Sequence, residues 1–138
     1  MAPHPLQGHT QAAEFIGAVY YWGQGAAIDY SRAMAAYKIA AEAGDAPSQH
    51  QVGFMYYTGK GVAVDYQQAW AWLEKAAAQG IPEAFSQLGQ LYYAGLGVIS
   101  SYRRARELYQ RAIELGCTGA VDCMQTLDQD IQQVRQLV

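Results

Sequence analysis

Histidine and cysteine are the residues of this sequence best suited to metal binding or nucleophilic chemistry, and their spacing favours neither. The three histidines are His4, His9 and His50, and His50 has no second ligand three or four residues away. Because a metal ion needs ligands that converge on one point, we expect no metal site. Cys117 and Cys123 are the only cysteines, too few for a disulfide framework and wrongly spaced for a zinc knuckle. We expect free thiols without a catalytic role, since no base is paired with either.

Two other patterns have both a functional and a structural interpretation. The motif Gly-x-Gly occurs three times, but no predicted strand precedes it and no acidic ribose-binding residue follows, so we interpret it as a helix stop. The densest basic cluster is Arg103, Arg104, Arg106 and Arg111, with Glu107 four positions from the first and the last of them. This spacing indicates a solvated, salt-bridged helix face. With no converging acid, base or nucleophile, the sequence predicts a protein that is not an enzyme and needs no cofactor.

Composition restricts the classes of partner. The chain has 138 residues and a formal net charge of -3, so it has no basic field to attract nucleic acid or an anionic membrane. Hydrophobic residues make up 51% of the chain, but alanine and tyrosine dominate them, and no apolar run is long enough for insertion into a membrane. The start of the sequence has neither the charged lead nor the apolar block of a secretory signal. We expect a cytoplasmic protein, with an exported or periplasmic mature domain as the alternative.

The sequence repeats with a period of 36 residues. Within each repeat, apolar residues at spacings i, i+4 and i+7 predict two amphipathic helices, helix A and helix B. In the first repeat, Ala12, Ile16 and Val19 form the predicted core stripe of helix A. The positions that recur unchanged in all three repeats include Gly17, Gly53 and Gly89; Tyr20, Tyr56 and Tyr92; Tyr21, Tyr57 and Tyr93; Tyr30, Tyr66 and Tyr102; and Ala33, Ala69 and Ala105.

Glycine and short polar residues mark the ends of these helices. Gly-x-Gly suits a helix A that stops in a left-handed conformation and turns sharply back. Asp29, Asp65 and Ser101 then stand where a side-chain oxygen can cap the first amides of helix B. Because two such helices cannot bury both apolar stripes alone, each hairpin must stack on the next.

We therefore predict an all-α fold, a right-handed α/α superhelix (solenoid) of three 36-residue helix-turn-helix repeats with a C-terminal capping helix. The capping helix is indicated by an apolar stripe from Ala120 to Val138, backed by Gln129, Asp130, Gln132 and Gln133, which we expect to face water. An alternative is that its last turns pair with another chain and form a homodimer. The predicted boundaries are 1–9 for a flexible N-terminal arm, 10–138 for a single domain, about 12–47, 48–83 and 84–119 for the repeats, and about 119–137 for the capping helix.

These motifs resemble the Sel1-like repeat (SLR) family, which is related to tetratricopeptide (TPR) repeats. The best match is residues 52–69, VGFMYYTGKGVAVDYQQA, followed by Trp72-Leu73 and by residues 75–80, KAAAQG. Ala36 and Leu108 depart from the family pattern at the position of Trp72. The resemblance implies a TPR-like scaffold for protein complexes, a role that members of the family often have in bacterial signalling, envelope processes or host contact.

The face of helix A opposite its core stripe is the predicted binding surface, because this face lines the concave side of a stacked solenoid. Tyr21, Tyr57 and Tyr93 would form an aromatic track there, and such rings anchor protein interfaces. Alternatively, these tyrosines pack between neighbouring repeats. Phe54 stands at a position that is not aromatic in the other two repeats, so packing alone does not demand its ring. The predicted partner-binding residues are Glu14, Ala18, Tyr21, Trp22, His50, Phe54, Tyr57, Ser86, Gln90 and Tyr93.

The sequence thus predicts a protein-protein interaction module or adaptor that holds a partner protein or peptide in a groove formed by the A helices. Two alternatives stay open at this point. One is a structural protein that self-associates through its terminal helices. The other is an inhibitor or immunity-type binder of one specific enzyme, which would use the same kind of surface.

Overall fold

The computed structural model of the chain describes residues 7–138, with side chains from residue 9 onward. Over this range the chain forms seven α-helices and no strand, which confirms the all-α fold. Helices α1, α3 and α5 are the A helices of the three repeats, α2, α4 and α6 are the B helices, and α7 follows them. Their bounds are α1 Gln7–Trp22, α2 Tyr30–Glu42, α3 Ala46–Thr58, α4 Tyr66–Ala78, α5 Pro82–Ala94, α6 Tyr102–Glu114 and α7 Gly119–Leu137.

The predicted N-terminal arm is only partly covered by the structure. Helix α1 begins at Gln7, so residues 7–9 of the predicted arm are helical. Residues 1–6 lie outside the described residues. The capping helix predicted at about 119–137 corresponds to α7, which spans Gly119–Leu137.

The B helices begin at the capping residues that the sequence predicts. The carboxylate of Asp29 accepts a hydrogen bond from the backbone N–H of Arg32 at 3.1 Å. The carboxylate of Asp65 accepts from the N–H of Gln68 at 3.1 Å, and the hydroxyl of Ser101 accepts from the N–H of Arg104 at 3.2 Å. Each cap satisfies an amide that has no partner within its own helix, a contribution of about 1 kcal/mol.

Gly-x-Gly stops helix A by the predicted left-handed backbone. In the second repeat Gly59 and Gly61 both have φ near 75°, and the N–H of Gly59 donates to the carbonyl of Met55 at 2.8 Å. Gly61 also permits a close approach, since a Cβ atom there would collide with the backbone carbonyl of Tyr30. The turn of the second repeat therefore lies directly against the start of α2.

Contacts between residues divide the chain into two compact units, Met1–Ala76 and Ala77–Val138, with the boundary in the last turn of α4. The single domain predicted for residues 10–138 stays a prediction. The core of the first unit joins α1, α2, α3 and α4 through the buried residues Tyr21, Ala33, Met34, Tyr37, Ala41, Val52, Met55 and Trp72. The core of the second unit contains Ala105, Tyr109 and Leu127, with Tyr92, Tyr93, Cys123, Met124 and Ile131 packed against them.

The predicted core stripe of helix A is confirmed in α3 and wrong in α1. In α3 the stripe positions are Ser48, Val52 and Met55, all fully buried, and the two apolar side chains belong to the core shared with α2. In α1 the same positions include Ala12, which is exposed, and Ile16, which is 46% exposed. The stripe is a surface for packing against a preceding helix, and the described residues contain none before α1.

A different face of α1 is buried instead. Ala13, Gly17 and Tyr21, at i, i+4 and i+8, lie in the interior and face helix B of the same repeat. A Cβ atom on Gly17 would lie 2.8 Å from the ring of Tyr37. This glycine therefore allows α1 and α2 to approach closely, and it places the next residue of that face, Tyr21, in the core.

Candidate functional site

The predicted binding face of α1 is split between buried and exposed side chains. Tyr21 is only 5% exposed, and its ring packs edge to face against Tyr30 at 5.3 Å and Tyr37 at 6.3 Å between centroids. Tyr21 is therefore a core residue, and both of these rings belong to its own repeat, so the alternative of packing between neighbouring repeats stays a prediction. Trp22 is 64% exposed beside it, while Ala18 and Glu14 are half-buried.

Glu14 has a perturbed carboxyl group. Burial, and to a lesser degree the negative charge of Asp45, raises the pKa of this carboxyl above its ordinary value. No cation is bound to it among the ion pairs of residues 9–138.

The first unit holds a cation among aromatic rings. The Nζ atom of Lys60 lies 5.3 Å from the ring centroids of Tyr21 and Tyr30 and 5.7 Å from that of Phe54. It also donates a hydrogen bond to the hydroxyl of Tyr21 at 3.3 Å. These distances are typical of cation-π contacts, which hold an ammonium group over the negative faces of the rings. We call Lys60, Tyr21, Tyr30 and Phe54 the Lys60 cluster.

The glycine turn positions this lysine. Lys60 is the central residue of the Gly-x-Gly motif of the second repeat, between Gly59 and Gly61. Because Gly61 lies against the backbone of Tyr30, the turn brings Lys60 over the rings of the first repeat. The corresponding residues of the other repeats are Gln24 and Leu96, so only the second turn carries a cation.

The charge of Lys60 is not neutralised by a carboxylate of the described residues. Within this part of the chain, the ion pairs are Arg32 with Asp29, Arg106 with Asp128 and Arg111 with Glu114. Lys60 belongs to none of them, and it is only half-buried. Its contacts within residues 9–138 are instead with the rings of the Lys60 cluster.

Of the predicted residues of α3, Phe54 lies beside this cation. Phe54 is half-buried and belongs to the Lys60 cluster, and Tyr57, one helical turn further on, is half-buried too. The ring of Tyr57 packs edge to face against Tyr66 at 6.0 Å. His50 is half-buried on the same helix. The structure thus brings Phe54 together with a lysine that the sequence pattern did not single out.

In the second unit, the equivalent tyrosines are bound to an acidic residue of α7. Tyr93 and Tyr102 stack with their centroids 5.1 Å apart and an interplanar angle of 21°. Both hydroxyls donate to Oδ2 of Asp130, that of Tyr102 at 3.3 Å. The hydrogen bond to Asp130, assisted by burial, raises the pKa of Tyr93 to about 12. The prediction that Asp130 faces water is therefore wrong, because the side chain is half-buried and accepts from two phenols.

The other predicted residues of α5 have separate surroundings. Ser86 is buried, which leaves little of it for a partner to touch. Gln90 and Tyr93 line a pocket of about 170 Å³ together with Tyr109, Cys123 and Thr126. The amide of Gln90 contacts the sulfur of Cys123 at 3.5 Å, and both cysteines are free. None of these five lining residues carries a carboxylate or a basic side chain.

The basic cluster of α6 is solvated and salt-bridged, as the sequence predicts, although the partners differ. Arg106 pairs with Asp128 at 2.8 Å and Arg111 pairs with Glu114 at 3.4 Å, instead of the predicted Glu107. All of these side chains are more than two-fifths exposed, so the pairs contribute little to stability.

Two further findings concern residues 7–138. No group of three or more histidine, cysteine or acidic side chains in this range could hold a metal ion. None of the described helices combines the length and apolar character required to span a membrane.

The paired helices, glycine stops and alanine-rich B helices define an all-α protein built from helix-turn-helix repeats. The family model of the Sel1 repeat matches the chain three times, at residues 10–45, 46–81 and 82–117. The chain belongs to the Sel1 repeat family. Proteins built from this repeat typically mediate protein-protein interaction and are generally non-enzymatic scaffolds.

Solved structures of other Sel1 repeat proteins are similar to this chain. A Sel1 repeat protein from Oxalobacter formigenes is 35% identical, with a TM-score of 0.78 over 90% of this chain and 50% of that one. The protein c5321, a protective antigen present in uropathogenic Escherichia coli strains, is 38% identical, with a TM-score of 0.78 over 83% of this chain and 24% of that one. This chain therefore spans half of the first protein and about a quarter of the second.

A third structure shares the fold at lower identity. Cysteine rich protein B of Helicobacter pylori is 22% identical, with a TM-score of 0.67 over 86% of this chain and 90% of that one. No protein of curated function matches the chain significantly.

Proposed function

We propose that this chain is a non-enzymatic adaptor that binds a partner protein or peptide at the Lys60 cluster and the neighbouring rings of Tyr57 and Trp22. The observation that carries the proposal is the ammonium group of Lys60, fixed over three rings without a carboxylate partner among the described residues. The wider groove along all three A helices, as predicted from the sequence, stays a prediction.

The chemistry of this surface defines the ligand that it fits best. A carboxylate of the partner would pair with a cation that has already lost part of its hydration and its conformational freedom, which reduces the cost of binding. Phe54 and Tyr57 present aromatic contact area with little side-chain entropy to lose, as rings at interface hot spots do. We therefore expect a partner segment with an aspartate or glutamate next to an aromatic or aliphatic residue.

Selection from a random peptide library displayed on phage tests this proposal, because the method does not require the partner to be identified first. We expect the wild-type protein to enrich peptides that combine a carboxylate with an apolar neighbour. Lys60→Met keeps the aliphatic stem and removes the charge, so it should lose the preference for acidic peptides. The double variant Phe54→Ala, Tyr57→Ala should lose binding altogether.

Lys75 offers a matched control in the same unit. Its Nζ atom lies 4.5 Å from the ring centroid of Trp72, a cation-π contact outside the Lys60 cluster. We expect Lys75→Met to select the same peptides as the wild type. If Lys60→Met also selects them, with equal affinity, the binding surface is elsewhere and the proposal is wrong. The alternative of an inhibitor or immunity-type binder would use this same surface and has no observation of its own.

A further inference from the structure

The first repeat has an apolar surface on the side of α1 and α2 that faces away from α3, which we call the first-repeat face. Its main residues are Phe15, Ile16 and Ile39, which are 71%, 46% and 55% exposed. Between the two helices lies a pocket of about 510 Å³. Apart from His9, Tyr20 and Arg32, this pocket is lined by Ala12, Ala13, Ile16, Ala35, Ala36 and Ile39.

This face has the composition of a helix-packing surface. In the second repeat, the positions equivalent to Ile16 and Val19 are Val52 and Met55, which are fully buried in the core shared with α2. Among the described residues, no helix covers this stripe in the first repeat, whereas the second repeat buries it against α2. Helix packing of this kind, with small residues in the grooves and large ones on the ridges, is the natural use of the face.

Two residues show that the absence of a covering helix does not by itself explain the exposed apolar surface of the first repeat. Phe15 occupies a position that is Gln51 and Gln87 in the later repeats, and Ile39 occupies one that is Lys75 and Arg111. Here polar positions have become apolar, which indicates a surface that is covered by another molecule.

The face contains both an alanine-floored pocket and exposed side chains large enough to enter one. Four alanines form the floor of the pocket, and Ile16 and Ile39 line it beside the protruding ring of Phe15. In a two-fold symmetric pair, the large side chains of each copy can enter the alanine-floored pocket of the other. Arg32 does not oppose this pairing, because its guanidinium contacts Asp29 at 3.5 Å and the Tyr20 hydroxyl at 3.3 Å.

Helix α7 does not offer a matching surface for a head-to-tail stack. Gln125 and Gln129 stand at the positions of Gly17 and Tyr21, which face helix B in the first repeat, and both glutamines are exposed. A long side chain in place of the glycine prevents the close approach of another helix. We propose that the first-repeat face binds the first-repeat face of a second copy of this chain, forming a homodimer with two-fold symmetry.

Sedimentation velocity of the full chain over a wide range of concentrations tests this proposal. We expect a reversible monomer-dimer equilibrium. Ile16→Glu and Ile39→Glu should each raise the dimer dissociation constant by about a hundredfold or more, because two carboxylates would be buried per dimer without partners. Both side chains are exposed in the monomer, so helicity and melting temperature of the monomer should not change.

Val134→Glu is the matched control, since Val134 is an apolar residue of α7 with 62% exposure. We expect this variant to dimerise like the wild type. If it alone dissociates the dimer, the interface is the C-terminal helix and the proposal is wrong. A full chain that stays monomeric at all concentrations overturns it as well. Removal of residues 1–6 then distinguishes what covers the first-repeat face. If the dimer forms only after this deletion, residues 1–6 cover the face in the full chain and the proposal is wrong.

Discussion

The same two tyrosine positions are used in different ways in the two units of this protein. In the first unit, Tyr21 and Tyr30 lie under the ammonium group of Lys60, which comes from the glycine turn of the following repeat. In the second unit, Tyr93 and Tyr102 donate hydrogen bonds to Asp130 of α7. The ring pair of the first unit thus holds a cation that has no carboxylate partner within residues 9–138. The ring pair of the second unit connects α7 to the third repeat through hydrogen bonds.

Tyrosines at equivalent positions of the repeats therefore have different roles in the two units. The repeat fixes where the rings lie, and the residue that contacts them differs between the units, a lysine in the first and an aspartate of α7 in the second. A substitution at an equivalent position of each unit therefore separates what the repeat supplies from what its covering residue adds.

The largest expected effect on stability concerns a buried tyrosine of helix B that both units contain. Tyr37 and Tyr109 occupy the same position of helix B, and both are buried against helix A. Either one, changed to Ala, should lower the free energy of unfolding by about 3–5 kcal/mol, because a large cavity replaces the ring. Urea unfolding followed by circular dichroism measures this loss. A loss below about 1 kcal/mol at either site would show that the two cores are not equivalent.

The next effect concerns two glycines that both have a left-handed backbone conformation but differ in their surroundings. Gly25 and Gly61 are equivalent residues with φ of 90° and 75°, but a Cβ atom on Gly25 meets nothing within 4 Å, whereas one on Gly61 collides with the carbonyl of Tyr30. Gly25→Ala should cost about 1–2 kcal/mol from the left-handed backbone alone. Gly61→Ala should cost more and also displace Lys60. Equal losses of stability for the two variants would contradict the close approach.

Alkaline titration tests the hydrogen bond between Tyr93 and Asp130 in the second unit. The raised pKa of Tyr93, about 12, means that the folded state holds this proton more tightly than the unfolded state, whose ordinary value is 10.0. The stabilisation is therefore complete below about pH 10 and is lost as the pH rises through about 12. Asp130→Ala should return Tyr93 toward ordinary titration, as measured by ultraviolet absorbance. An unchanged titration curve would mean that Asp130 does not hold the Tyr93 proton.

The smallest effect on stability is expected at Lys60 itself. Lys60→Met retains the contact of the aliphatic stem and removes the cation-π attraction, which is worth about 0.5–1 kcal/mol at a partly exposed site. Thermal unfolding should therefore show only a small decrease in melting temperature. A large decrease would indicate that Lys60 stabilises the fold and is not reserved for a partner.

Local patterns predicted the parts of the fold that depend on local interactions. The period of 36 residues, the capping by Asp29 and Ser101 and the glycine helix stops each depend on residues a few positions apart. The buried face of α1 was predicted wrongly because the stripe at Ala12 and Ile16 is buried only where a preceding helix covers it. Helical periodicity marks an apolar face without showing what lies on it.

The residues that complete the candidate site were missed for a related reason. Lys60 binds the hydroxyl of Tyr21, 39 residues earlier, and Asp130 binds Tyr93, 37 residues earlier. Neither the lysine nor the aspartate belongs to a position that repeats, so the periodicity gave no signal for them. A search for charged residues at otherwise uncharged repeat positions would have found Lys60, whose equivalents are glutamine and leucine.

The affinity of an acidic peptide selected by the wild-type protein tests the role of the Lys60 cluster most directly. Isothermal titration calorimetry would compare its dissociation constant for the wild type, Lys60→Met and Lys75→Met. We predict at least about a tenfold weaker binding for Lys60→Met, since a partly desolvated charge pair is lost. Lys75→Met should bind like the wild type. Equal affinities for Lys60→Met and the wild type would contradict the account.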